Sequence, residues 1–274
     1  MKTLHWVDHY YSEGDVLARG DHELYFQPRR IELEVELTLK ALRDNSSVPG
    51  SYLNLACGPN VQCLLKLLKA LPLHTAVCAD INPSFVKFIS DAFEKSPYTS
   101  SAKTRFEVAD MRLTFLYGQK FDLISLYGNS FGYFEHSINQ RILEQCHRLL
   151  NTGGMLALTT VNHDMVARQT PENAMSWRND VMTPHGPAVR YSTRYFNSAD
   201  NRSICNFETR LGNDVIESGV RDLFIYPYET VGLLPSLSQM ALEAKFSRTR
   251  RLPLPINDET FGLMKHLDLI TFEK

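Results

Sequence analysis

An α/β fold is predicted by three features of this sequence. From Ser51 onward, short β-favouring apolar runs alternate with amphipathic helical patterns, the rhythm of strands joined by covering helices. The early runs stop at small, amide or acidic residues, where an open sheet presents a ligand crevice at its strand ends. A later stretch, between Val161 and Tyr226, breaks the rhythm with β runs separated only by turns, which predicts an antiparallel insertion.

The elements follow in order. In Gln27 to Arg43, Ile31, Leu33, Val35, Leu37 and Leu39 alternate with Glu32, Glu34, Glu36 and Thr38, as a strand would. Length, strong helix formers and Pro28 near the start favour a helix covering the sheet instead. Ser51 to Leu55 reads as a buried strand. It breaks into Ala56-Cys57-Gly58, small enough for a ligand to approach the backbone, and Asn60 caps a helix from Val61 to Leu71. Val77-Cys78-Ala79 is a second strand closing on Asp80 and Ile81, with Asn82 and Pro83 as cap and first residue of the next helix.

A third strand, Arg105 to Ala109, ends in Asp110-Met111, and a fourth, Phe121 to Leu126, runs into Tyr127-Gly128-Asn129-Ser130-Phe131-Gly132-Tyr133. A helix from about Ile138 to Leu150 leads through Asn151-Thr152-Gly153-Gly154 to a fifth strand, Met155 to Val161. Val189 to Phe196, Arg202 to Leu211 and Val215 to Ile225 then read as three antiparallel strands, turned at Asn197–Asn201 and Gly212-Asn213-Asp214. Alternation places Arg190, Arg194, Arg202 and Arg210 with Glu208 on a solvated face. A helix from about Glu229 to Ala244, a sixth strand near Lys245 to Leu252 and a seventh, Leu267 to Phe272, complete the reading.

Composition narrows the function classes. With 274 residues, 43% of them hydrophobic, the chain can bury a sizeable core. A net charge of -2 and the lack of a long basic run argue against nucleic acid as a partner. No run approaches the roughly 18 apolar residues of a membrane span, and the first residues lack the apolar core of a signal peptide, so a cytoplasmic protein is expected. The odd set of cysteines, Cys57, Cys63, Cys78, Cys146 and Cys205, has no CxxC pair; reduced thiols are expected and no metal site.

Asp80 follows Gly58 at close to the roughly 20 positions expected of a ribose-binding carboxylate. A dinucleotide fingerprint would also want glycine where the chain has Ala56 and Val61, so a nicotinamide oxidoreductase is disfavoured. Taken together, the corner at Ser51–Asn60, the acids at 80 and 110 and the Gly-Gly turn before the fifth strand resemble the class I S-adenosylmethionine-dependent methyltransferases of small-molecule type. The resemblance runs best from about Tyr10 to Val161.

That resemblance implies a Rossmann-like seven-stranded sheet with helices on both faces, plus an antiparallel β-meander cap inserted after strand 5. It divides one domain into an N-terminal lid and covering helix (1–44), a core (45–163 and 226–274) and an acceptor-side cap (164–225). It implies S-adenosylmethionine as cofactor, held by Tyr11, Asn54, Ala56, Gly58, Asp80, Ile81, Asp110, Met111 and Tyr127. Asp80 would take the ribose hydroxyls, Asp110 the adenine amino group, unless it is a loop carboxylate paired with Arg112, and Met111 the ring face. Two positions depart from the family: Asn54 stands where an acid is usual, losing a charge that helps hold the donor's ammonium, and Asn60 where a third glycine is common.

The activity implied is methyl transfer to nitrogen or oxygen of a small metabolite, a direct displacement in which orientation contributes roughly 7–11 kcal/mol. The segment Gly128-Asn129-Ser130-Phe131 lacks the Asn/Asp-Pro-Pro-Tyr motif of methyltransferases acting on nucleic-acid or glutamine nitrogens. His163 and Tyr133, just past strands 5 and 4, are the expected catalytic residues for moving a proton. A non-catalytic S-adenosylmethionine-binding regulator is the alternative, suggested by Asn54. A homodimer is compatible with either reading.

Overall fold

The computed structural model describes residues 28–97, 101–116, 118–183, 185–231, 235–255 and 267–274. Tyr11 and the expected lid lie outside the described residues. Pro28–Asp44 is helix α1, not a strand. Its buried positions include Arg30, Glu34, Thr38 and Leu42, spaced at four residues, so helical periodicity buries polar groups that strand alternation would have exposed.

The strands β1 (Ser51–Leu55), β2 (Thr75–Asp80), β3 (Lys103–Val108), β4 (Phe121–Leu126) and β5 (Leu150–Val161) alternate with α2 (Val61–Ala70), α3 (Pro83–Glu94) and α4 (His136–Leu149). Both expected caps form: Asn60 Oδ1 accepts from the Gln62 N–H at 2.9 Å, and Asn82 Oδ1 from the Ser84 N–H at 2.8 Å. Such a cap stabilises a helix by about 1 kcal/mol. β5 begins earlier than expected because Leu150 pairs with Phe121; the register shifts before Leu123 pairs with Met155, so the Asn-Thr-Gly-Gly segment is an irregularity within the strand.

After β5 come a single turn, α5 (His163–Val166), and four strands: β6 (Met175–Thr183), β7 (Gly186–Asn197), β8 (Arg202–Leu211) and β9 (Asp214–Phe224). The expected meander had three. β6 was hidden by the polar run Arg178-Asn179-Asp180, which masks the alternation. Arg190 and Arg194 also leave the face expected of them. Register pairs Tyr191 with Glu208 and Arg190 with Thr209, and residues directly opposite share a face. Arg190 is only 5% exposed and donates to Thr209 Oγ1 at 3.0 Å and Glu217 Oε2 at 2.9 Å.

The chain returns through α6 (Leu237–Glu243), β10 (Arg248–Pro253) and β11 (Leu267–Glu273). α6 is shorter than expected: Pro235 disfavours helix before it, and Ser236 caps the start by accepting from Gln239 at 3.2 Å. The larger sheet has the order β10-β11-β5-β4-β1-β2-β3, and the meander forms a separate sheet, β6-β7-β8-β9. β1 to β5 run parallel, while β11 lies antiparallel between β5 and β10. Its core strands are buried on both faces, Tyr52, Leu53, Leu123 and Ile124 being fully enclosed. Among the described residues no helix is long and apolar enough to cross a membrane.

Candidate active site

Strand order reverses between β1 and β4, and in an open α/β sheet that switch point leaves a crevice at the carboxyl ends of the strands. A cleft lies there, its roughly 730 Å³ of empty space continuous with open solvent. Ala56, Cys57 and Gly58 form one wall, and the turn is sharp because Ala56 (φ 50°) and Gly58 (φ 57°) both adopt left-handed backbone. Asp80 and Ile81 close β2 beside it, with Phe85 from α3 and Met111 after β3.

Asp80 braces this wall. Its Oδ2 accepts from the Gly58 N–H at 2.8 Å and its Oδ1 from the Asn82 N–H at 2.9 Å. Burial pushes its carboxyl up to about 6, against the lowering effect of these backbone donors. Burial pushes the thiols of Cys57 and Cys63 nearby well up, which disfavours the thiolate form.

The opposite wall combines the β4 loop with α1. Tyr127 and Tyr133 line it, and the Tyr127 hydroxyl is bonded to Thr38 Oγ1 at 2.7 Å. Gly128, at φ 69°, lets its N–H donate to Glu34 Oε1 at 2.9 Å. Asn54 sits on the floor, where Oδ1 accepts from Ser125 Oγ at 3.0 Å.

Of the expected site residues, Asn54, Ala56, Gly58, Asp80, Ile81, Met111, Tyr127 and Tyr133 come together around this cavity. Asp110 does not; both its oxygens accept from Arg112 Nε, at 3.0 and 2.8 Å, and it borders a different hollow with Arg141 and Gln145. His163 lines a third, smaller cavity with Asp268 and Arg251. It is buried edge-on against Phe196 at 5.4 Å, and neither ring nitrogen has a hydrogen-bond partner among the described residues. Arg30 and Glu34 line the main cavity and were not anticipated. The signal was present, since Arg30, Glu34, Thr38 and Leu42 recur at helical spacing within a stripe that also holds Ile31 and Val35.

Residues 53–154 match the family described as methyltransferase domain. Among solved structures, an S-adenosylmethionine-dependent methyltransferase from Clostridium acetobutylicum is 14% identical with a TM-score of 0.63, covering 88% of this chain and 91% of that one. The sugar N-methyltransferase KedS8 from Streptoalloteichus is 17% identical, TM-score 0.59, with 95% of each chain covered. DesVI from Streptomyces venezuelae is 16% identical, TM-score 0.58, covering 92% and 95%. No curated protein sequence matches. The fold is therefore that of the S-adenosylmethionine-dependent methyltransferases, a Rossmann-like sheet with a second antiparallel sheet.

Proposed function

We propose that this protein is an S-adenosylmethionine-dependent methyltransferase acting on nitrogen or oxygen of a small molecule. The observation that carries the reading is the cavity at the β1/β4 switch point, with Asp80 fixed beside the Ala56–Gly58 turn. The residues present fit the donor: a buried carboxylate for ribose hydroxyls, Ile81, Phe85 and Met111 as apolar walls for a purine, and a left-handed turn for close backbone approach.

When bound, S-adenosylmethionine supplies an electrophilic methyl group on a sulfonium. This chain's part is to bind, orient and exclude water. Tyr127 and Tyr133 offer aromatic faces to a cation, an attraction on the order of 1–2 kcal/mol in a dry site. Tyr127 is fixed by Thr38 and by burial, which pushes its phenol well up, so it acts as a neutral ring. Tyr133, whose loop continues to Gly132, is assigned to the acceptor side as a hydrogen-bonding group. The β6–β9 sheet is assigned as the acceptor-pocket roof; the Phe224 N–H donates to Gly132 O at 2.8 Å, tying its last strand to the cavity loop. Similar folds include enzymes named for methylating amino sugars, so amino-bearing and hydroxyl-bearing sugars head the acceptor panel. Residence in the cytoplasm belongs to the same reading, supported by five free cysteines.

The test is calorimetry with S-adenosylhomocysteine followed by mass-spectrometric detection of methyl transfer across that panel. Binding in the micromolar range with a thermal shift is expected. No heat and no shift at millimolar ligand would remove the reading. Binding without turnover on any acceptor would favour a non-catalytic regulator.

A further inference from the structure

We infer that Glu34, on helix α1, supplies the negative charge for the donor's α-ammonium group that strand β1 lacks at Asn54. The inference rests on the donor reading above. Glu34 is wholly buried, 0% exposed, yet it lines the main cavity beside Asn54 and Tyr127. One carboxylate oxygen, Oε1, is engaged by the Gly128 N–H at 2.9 Å. The other, Oε2, is buried with no hydrogen-bond partner among the described residues. The Arg30 guanidinium stands 3.9 Å from it, near enough for attraction but beyond hydrogen-bonding range.

A buried carboxylate oxygen without a donor is costly, and native proteins seldom leave one unless a ligand or water completes it. An alkylammonium carries three N–H donors and a full positive charge, the complement this oxygen lacks. Asn54 offers no such charge, and its Oδ1 is already taken by Ser125 Oγ at 3.0 Å. The carboxylate at this cavity thus comes from the covering helix, where Arg30 and Glu34, one turn apart, both line it. Arg30 lines the same cavity, so the wall presents both signs of charge to a zwitterion.

A merely structural role, holding the Gly128 loop, makes a different prediction, and two ligands separate them. S-adenosylhomocysteine carries the amino-acid group; 5′-methylthioadenosine keeps the adenine, ribose and thioether without it. Calorimetric titration of Glu34→Gln, which retains an acceptor for Gly128, should show S-adenosylhomocysteine weakened roughly 10- to 100-fold, as for loss of a charged hydrogen bond. Methylthioadenosine should stay within twofold of its wild-type affinity. Adding Asn54→Asp to Glu34→Gln should restore about tenfold of the loss. S-adenosylhomocysteine within twofold of wild type, or equal loss for both ligands, overturns the role while leaving the donor reading intact. Wild-type protein that binds neither ligand removes both. Should Glu34→Gln fail to fold, Glu34→Asp withdraws the charge by one methylene, and the same ratio between the two ligands decides.

Discussion

The Asp80 carboxylate accepts a hydrogen bond from the backbone N–H of Gly58 at 2.8 Å, joining positions 22 residues apart in the chain. The ends of β1 and β2 are thereby fixed relative to each other before any ligand arrives.

Asp80 should make donor binding depend on pH. In the proposed donor site, ribose hydroxyls would donate to the ionised form, and the carboxyl is raised to about 6 by burial, so affinity for S-adenosylhomocysteine should fall as pH drops through that value. Asp80→Asn should flatten the profile between pH 5 and 7.5. Stability has the opposite sign: the folded protein holds the extra proton between 3.8 and about 6. The contribution of Asp80 is therefore full below 3.8 and lost as pH rises through about 6, a difference on the order of 3 kcal/mol. Urea denaturation of both proteins at pH 4 and 7.5 measures it; parallel shifts in the two would sink the assignment.

Ala56→Gly should stabilise the protein. Ala56 holds φ at 50°, where a Cβ costs roughly 1–2 kcal/mol, partly offset by the roughly 0.5–1 kcal/mol of entropy that glycine loses on folding. A gain of up to about 1 kcal/mol in urea, and a melting temperature higher by about 2–4 °C, is expected.

Gly132→Ala should do the reverse. An added Cβ would stand 2.3 Å from Phe224 O, at a φ of 101° that side chains avoid. Separation of β9 from the loop should cost at least about 2 kcal/mol. A change below about 0.5 kcal/mol by denaturation would mean the tie is dispensable.

Tyr133 and His163 should part company. Tyr133→Phe is expected to lower kcat on the true acceptor several-fold with donor KM nearly unchanged. His163→Gln, at a residue that does not line the main cavity, should leave S-adenosylhomocysteine affinity within twofold while lowering the melting temperature through lost packing on Phe196. Donor affinity lost in His163→Gln would refute that separation.

Much of the core was legible because its signals are local. A cap such as Asn82, an apolar run such as Phe121–Leu126 and the spacing from Gly58 to Asp80 each declare themselves within a few residues or a fixed interval. What stayed hidden depends on pairing. The face on which Arg190 lies follows from its register against Thr209, and β6 takes its definition from β7. Glu34 lay in a segment correctly read as a covering helix, but which of that helix's polar residues turn inward depends on how it packs against the sheet and the β4 loop, and the sequence does not state that packing. The bond between Asp110 and Arg112 is local, yet propensity says nothing of which way that pair turns.

The position of β11 bears on how the molecule is made. In the chain it follows β10, but in the sheet it lies between β10 and β5. During synthesis β10 therefore has no neighbour to join, and the edge of β5, with its apolar Met155–Val161, stays open until Leu267–Glu273 has left the ribosome. The β6–β9 sheet pairs only neighbours in sequence and can zip up well before that. A nascent chain stalled before residue 267 would carry a formed meander on an unclosed sheet, and it is this species, rather than the finished protein, that would call on a chaperone.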